Sequence, residues 1–189
     1  MKKNLLIITF SFLAFTFVNA QEVISIEAKG NLESPKPLSC VSLSEVKNEH
    51  NPADLLIGMK KCIELKDFKN AARLFAIAGV FGKYDSYRVK DKSAHQALLV
   101  LQQNVILNLG DTEKNALVES IKKELSETDS LNEICGIIRK IGAPKYFPTY
   151  MVQHGIQAFL EQGGNGLNEN FDSQVSWNLA LKSYLHCGE

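Results

Sequence analysis

The 189-residue chain has no HExxH pair, no GxSxG turn, no Cys-x-x-Cys, and no glycine loop followed by Lys-Ser or Lys-Thr. These absences remove the local signatures of zinc peptidases, nucleophile-elbow hydrolases, thiol redox or zinc sites, and phosphate-binding loops. The histidines, His50, His95, His154 and His186, stand too far apart for two ligands one helical turn apart. Neither charge sign is in excess, with 21 Lys and Arg against 21 Asp and Glu. Without a clustered positive surface, nucleic acid and anionic lipid are not the expected partners. Strand-like alternation is short wherever it occurs, and no apolar run after the first twenty residues is long enough to span a bilayer.

What is present begins at the N-terminus. Lys2 and Lys3 precede an apolar run from Leu5 to Val18, and Ala20 and Val18 stand first and third before Gln21. A basic head, an apolar run of this length and small residues before a cut are the parts of a secretory signal, so residues 1–20 are expected to be cleaved. Without Lys2 and Lys3, 19 basic residues remain against 21 acidic ones. The mature chain is then a weakly acidic, single-domain-sized protein of the periplasm or exterior, with no membrane insertion expected after cleavage.

All four cysteines, Cys40, Cys62, Cys135 and Cys187, fall in the mature part. An even count in an oxidising compartment points to two disulfides. Three pairings are possible; Cys40–Cys62 with Cys135–Cys187 is favoured because it closes the shorter loops. Residues 21–50 read as an extended N-terminal segment, with one short strand possible at Val23-Ile24-Ser25-Ile26 and a tether containing Pro35 and Pro37.

From 51 to 189 the pattern is helical. Asn51-Pro52-Ala53-Asp54 supplies a cap, a first-turn proline and an acid for a helix carrying Leu55, Met59, Cys62 and Ile63. Asp67 caps a second helix expected to end near Val80, at Gly79 and Gly82. Further helices are expected with Ala97, Leu98, Leu101 and Val105; with Leu117, Ile121 and Leu125; with Leu131, Ile134, Cys135 and Ile138; from Pro148 through Met151, Val152, Gly155, Ile156 and Phe159; and from Asp172 with Val175, Leu179 and Leu181. The fold class is therefore all-α: a compact, disulfide-stapled bundle of six or seven helices, or stacked helix pairs.

Within that pattern, Leu55, Gly58, Met59 and Cys62, the Asp67 turn, and Ala71, Phe75 and Ala78 alternate small and large packing sites across two helices. Residues 51–85 on these grounds resemble one unit of the tetratricopeptide and Sel1-like helical repeats, closest over Ala71 to Gly79. Cys62 stands where the tetratricopeptide unit has a large residue, and the closing proline is absent near Tyr84 and Asp85. The resemblance implies peptide or protein binding on a helical surface, without catalysis.

The stretch Tyr84, Asp85, Tyr87, Arg88, Asp91 and His95 brings two aromatics, a guanidinium and acids together, the residue types that anchor protein interfaces. It is the expected partner-binding site; the competing reading is an inter-helix loop with Arg88 paired to Asp85 or Asp91. No catalytic residue, metal ligand or cofactor is assigned. The expected function is an exported, non-catalytic helical protein that binds another protein. One narrower form is an immunity protein against a periplasmic toxin. The alternative is an envelope hydrolase working around His95.

Overall fold

A computed structural model describes residues 27–160 and 164–188; the signal-like segment 1–20 and the strand expected at 23–26 lie outside the described residues. The first helix starts where the sequence caps it best. Asn51 Oδ1 accepts the Asp54 amide while Asp54 Oδ2 accepts the Asn51 amide, and Pro52 opens α1 (Pro52–Glu64). Such a reciprocal cap contributes about 1 kcal/mol. The apolar face of α1, with Leu55, Leu56, Met59 and Ile63, is buried against α2 (Phe68–Arg88), which Asp67 caps. Ala71, Leu74, Ile77, Ala78 and Phe81 of α2 have no more than trace exposure, so the alanines let neighbouring helices approach closely around it.

α2 does not stop near Val80 as expected; it continues for two more turns to Arg88. Both glycines are seats for other side chains. A Cβ on Gly82 would lie 2.7 Å from a Leu98 methyl, and one on Gly79 would overlap the hydroxyl end of the Tyr184 ring. The helix tolerates two glycines at about 1 kcal/mol each because the close packing they allow offsets the cost.

α3 (Ala97–Ile106) follows a 3-10 turn at Lys92–Gln96 that Asp91 caps. α4 (Asp111–Ser126) and α5 (Thr128–Ile141) pack against each other, with Leu117, Ile134 and Ile138 turned into the core. An ion cluster joins them to α2, with Arg73 and Glu124 buried and Glu133 exposed: Arg73 Nε donates to Glu124 (2.7 Å), its two terminal nitrogens donate to Glu133, and Ser130 also donates to Glu124. Burial alone would raise the Glu124 carboxyl, but Arg73 and Ser130 outweigh it and hold it below its ordinary range.

The helix expected from Pro148 is only one turn long, α6 (Thr149–Val152), followed by a separate 3-10 turn at Ile156–Phe159. α7 (Ser173–Ala180) is capped by Asp172 and runs into a wider turn at Leu181–Leu185. Its buried side chains are Trp177 and Ala180, whereas Val175 and Leu179, expected on the packing face, are exposed. Trp177 decides the rotation: it fills the space beside Phe81 and Tyr84, at ring separations of 6.0 and 5.9 Å.

The disulfides are Cys40–Cys62 and Cys135–Cys187. The first fixes the N-terminal tether to α1, helped by Asp54, which accepts from Ser34 Oγ (2.6 Å) and the Lys36 amide (2.8 Å). The second ties α5 to the C-terminal end. Among the described residues no helix is long and apolar enough to cross a membrane.

Candidate functional site

The polar stretch that looked like an interface is largely the last two turns of α2, and most of it points inward. Tyr84 is buried, with its hydroxyl 2.8 Å from Ser173 Oγ and its ring edge-on to Phe171 and Trp177. Asp85 is fully buried. Its Oδ2 accepts from the hydroxyls of Tyr146 and Tyr150, each at 2.8 Å, and its Oδ1 accepts from Arg88 Nε at 2.8 Å. The Arg88 guanidinium lies against the faces of Tyr84 and Tyr146, at 5.2 and 5.1 Å from the ring centroids. Its Nη2 is 2.7 Å from Asp85 Oδ1 but poorly aligned for a hydrogen bond.

Burial pushes the Asp85 carboxyl above its ordinary range, and the charge of Arg88 and the tyrosine hydroxyls pull it only part of the way back. Burial, then the Asp85 charge, raises both tyrosine phenols well above theirs, so Tyr146 and Tyr150 stay neutral donors. With both oxygens occupied, Asp85 supports structure: it ties the 146–150 segment to α2. Breaking such a buried pair by removing one partner costs about 3–5 kcal/mol.

Asp91 does the corresponding work one step along the chain. Its Oδ1 accepts from Ser93, capping the 3-10 turn, and its Oδ2 accepts the Gln157 amide (3.0 Å), while Ser93 Oγ accepts the Ile156 amide (2.9 Å). Gly155 leaves room for this carboxylate, since a Cβ there would collide with Asp91. Those captured amides explain why the helix from Pro148 breaks after one turn. His95 Nε2 lies 2.9 Å from the Val89 carbonyl, and the Tyr87 hydroxyl 3.1 Å from Ser183 Oγ.

The segment held by Asp85 and Asp91 forms one wall of an open cleft of about 440 Å³. Phe147, Val152, Gln153, Gln157 and Leu160 line it from that segment, together with Val89, Lys90 and Asp91 and with Asn165–Leu167 and Glu169. Across the cleft floor Val89 and Leu167 form an antiparallel bridge, with the Lys90 amide donating to the Gly166 carbonyl and the Asn168 amide to that of Arg88. Two apolar lining residues are open to solvent, Phe147 and Leu160, each 49% exposed; Ile156 (65%) and Phe159 (51%) of the same segment are exposed outside the lining.

Of the residues expected to touch a partner, Asp91 alone lines this cleft; Tyr84, Asp85 and Arg88 brace the segment behind it. The sequence reading missed Tyr146, Phe147 and Tyr150, although three aromatics in Tyr146-Phe147-Pro148-Thr149-Tyr150 were a visible signal. It also assigned Ile156 and Phe159 to a helix face. Among the described residues no group of three or more His, Cys, Asp or Glu is arranged to hold a metal ion. No family model matches the chain, and neither the curated proteins nor the solved structures compared with it give a match.

Proposed function

We propose that this chain is an exported, non-catalytic helical protein that binds another protein, and that the partner seats on the rim of the 147–167 cleft. The observation that carries the reading is that Phe147, Ile156, Phe159 and Leu160, all about half exposed or more, fall within the one segment 147–160 that Asp85 and Asp91 brace, with Phe147 and Leu160 on the cleft itself. Bulky apolar side chains held rigidly at a surface favour association, because little side-chain entropy remains to be lost on binding. Export is supported by the signal-like residues 1–20 and by two disulfides, and compartment follows as the periplasm or exterior. The likeness of residues 51–85 to a tetratricopeptide or Sel1-like unit points the same way, toward binding without catalysis. An immunity protein that neutralises a periplasmic toxin is the narrower form, matching in outline a small, exported, disulfide-stapled helical protein.

The test is affinity capture from envelope and secreted extracts with oxidised Gln21–Glu189 as bait, run beside Phe147→Ser/Phe159→Ser. The double variant should keep the helical circular dichroism of the parent and lose the stoichiometric partner. A toxin among the captured proteins would establish the narrower form. A partner retained equally by the variant removes the cleft from the reading. No partner under any growth condition moves the weight to an envelope hydrolase.

A further inference from the structure

We propose that Asn165 is a modification site: in the folded protein its side-chain amide is lost through a cyclic imide with Gly166, leaving aspartate or isoaspartate on the cleft wall. The inference does not depend on the partner-binding reading. Asn165-Gly166 is the sole Asn-Gly pair of the sequence; every other asparagine is followed by a residue whose side chain or ring hinders attack by the next nitrogen. Asn165 is exposed and Gly166 only half covered, so water reaches the pair.

The local geometry favours the reaction. Asn165 Oδ1 accepts the Leu167 amide at 3.0 Å, which folds the carboxamide over the Gly166 peptide unit and draws electron density from its carbonyl carbon. The Gly166 nitrogen donates no hydrogen bond among the described residues, so nothing there competes for it. Gly166 itself cannot be replaced freely: its φ is +76° and a Cβ would lie 2.8 Å from a Val152 methyl. The fold therefore holds a glycine at the one position that also makes its neighbour labile.

The step balances without an added oxidant or reductant. The Gly166 nitrogen, giving its proton to solvent base, bonds to Cγ of Asn165; the bond from Cγ to the side-chain nitrogen breaks and ammonia leaves. Water then opens the five-membered imide at either carbonyl. Opening at the main-chain carbonyl reroutes the backbone through Cγ and inserts a methylene before Gly166. Gly166 carries the carbonyl that pairs with the Lys90 amide (2.9 Å), so isoaspartate breaks the short ribbon across the cleft floor. Opening at the other carbonyl leaves the ribbon intact and adds a carboxylate near Glu169 and Lys90 on the cleft lining.

The experiment incubates the oxidised mature protein in mildly alkaline buffer and follows it by peptide mass spectrometry, with enzymatic methylation to mark isoaspartate. Asn165 should be converted ahead of every other asparagine, with ammonia released, and Asn165→Gln should abolish that signal because its ring closes slowly. Hydrogen exchange of the Lys90 and Asn168 amides should lose protection in the isoaspartate fraction and keep it in Asn165→Asp. An unmodified Asn165 in protein whose other asparagines have reacted, or conversion only after reduction and unfolding, overturns the site. Equal protection in both fractions overturns its effect on the cleft.

Discussion

Replacing Gly79 by alanine pits two well-understood effects against each other. In a solvated helix the change is favourable by about 1 kcal/mol, since alanine loses less backbone entropy than glycine on folding. At position 79 the added methyl would overlap the hydroxyl end of the Tyr184 ring, which the Leu181–Leu185 turn lays against α2. The ring cannot move by tenths of an ångström to relieve this; it has to leave its seat. Forced overpacking costs about 1–3 kcal/mol, and a displaced aromatic also forfeits about 2–3 kcal/mol of burial. The expected net loss is about 2–5 kcal/mol, a fall in Tm of roughly 4–20 °C for a chain of this size. Tyr184→Ala alone should cost about 2–3 kcal/mol. In that background Gly79→Ala should become stabilising by up to about 1 kcal/mol. The assay is thermal and urea unfolding of the four oxidised proteins, read as a double-mutant cycle. A Gly79→Ala protein that melts above its parent would refute the docking of the C-terminal turn on α2, and with it the reason α2 runs on to Arg88.

Two further outcomes follow from the covalent and charged links. Removing the bridges singly as Cys→Ser pairs should destabilise by about 3 kcal/mol for Cys40–Cys62 and about 4 kcal/mol for Cys135–Cys187, from the chain closed between residues 22 and 52 apart in sequence; equal melting of parent and variants would contradict this. The Arg73 cluster sets a pH dependence: Glu124 and Glu133 are held below their ordinary range, so their contribution is complete above about pH 4.3 and is lost as pH falls through their folded values. In Arg73→Met the main group holding Glu124 down is lost while Ser130 and Lys69 remain, so that contribution should shrink and stability should fall less steeply on acidification; denaturant titrations across the acid range would expose an unchanged slope, the result that contradicts it.

Some of this was legible because it depends on neighbours in sequence. The cap at Asn51 to Asp54 and the starts at Asp67 and Asp172 all appear where the residues place them. The disulfide pairing follows the shorter loops. The rest depends on partners remote along the chain. Gly79 and Gly82 look like helix ends until Tyr184 and Leu98 are seen to occupy the space above them. Val175 and Leu179 have helical spacing, yet the single tryptophan on the next face outweighs both, because its larger area is worth more when buried. The exposure of Ile156 and Phe159 was not legible, since the break in their expected helix depends on amides captured by Asp91 and Ser93, remote along the chain.

The residues around Arg88 carry a more general point about reading interfaces from sequence. Tyrosine and arginine are enriched at interfaces because each couples a large apolar body to directed hydrogen bonds. The same coupling lets them close a protein's own interior around a buried carboxylate, as Tyr146, Tyr150 and Arg88 do around Asp85. Composition alone cannot separate the two uses, because the side chains satisfy the same demands in each. What separates them here is the supply of acceptors and rings within reach: Asp85 and the Tyr84 and Tyr146 faces meet the needs of Arg88 inside the chain. Side chains so engaged have little left to offer a partner. Phe147, Ile156, Phe159 and Leu160 remain substantially exposed on the segment those engaged residues hold. The polar groups and the exposed apolar side chains are thus two sides of one construction, in which Asp85 holds the 146–150 part of the segment and Asp91 with Ser93 holds its 156–157 part.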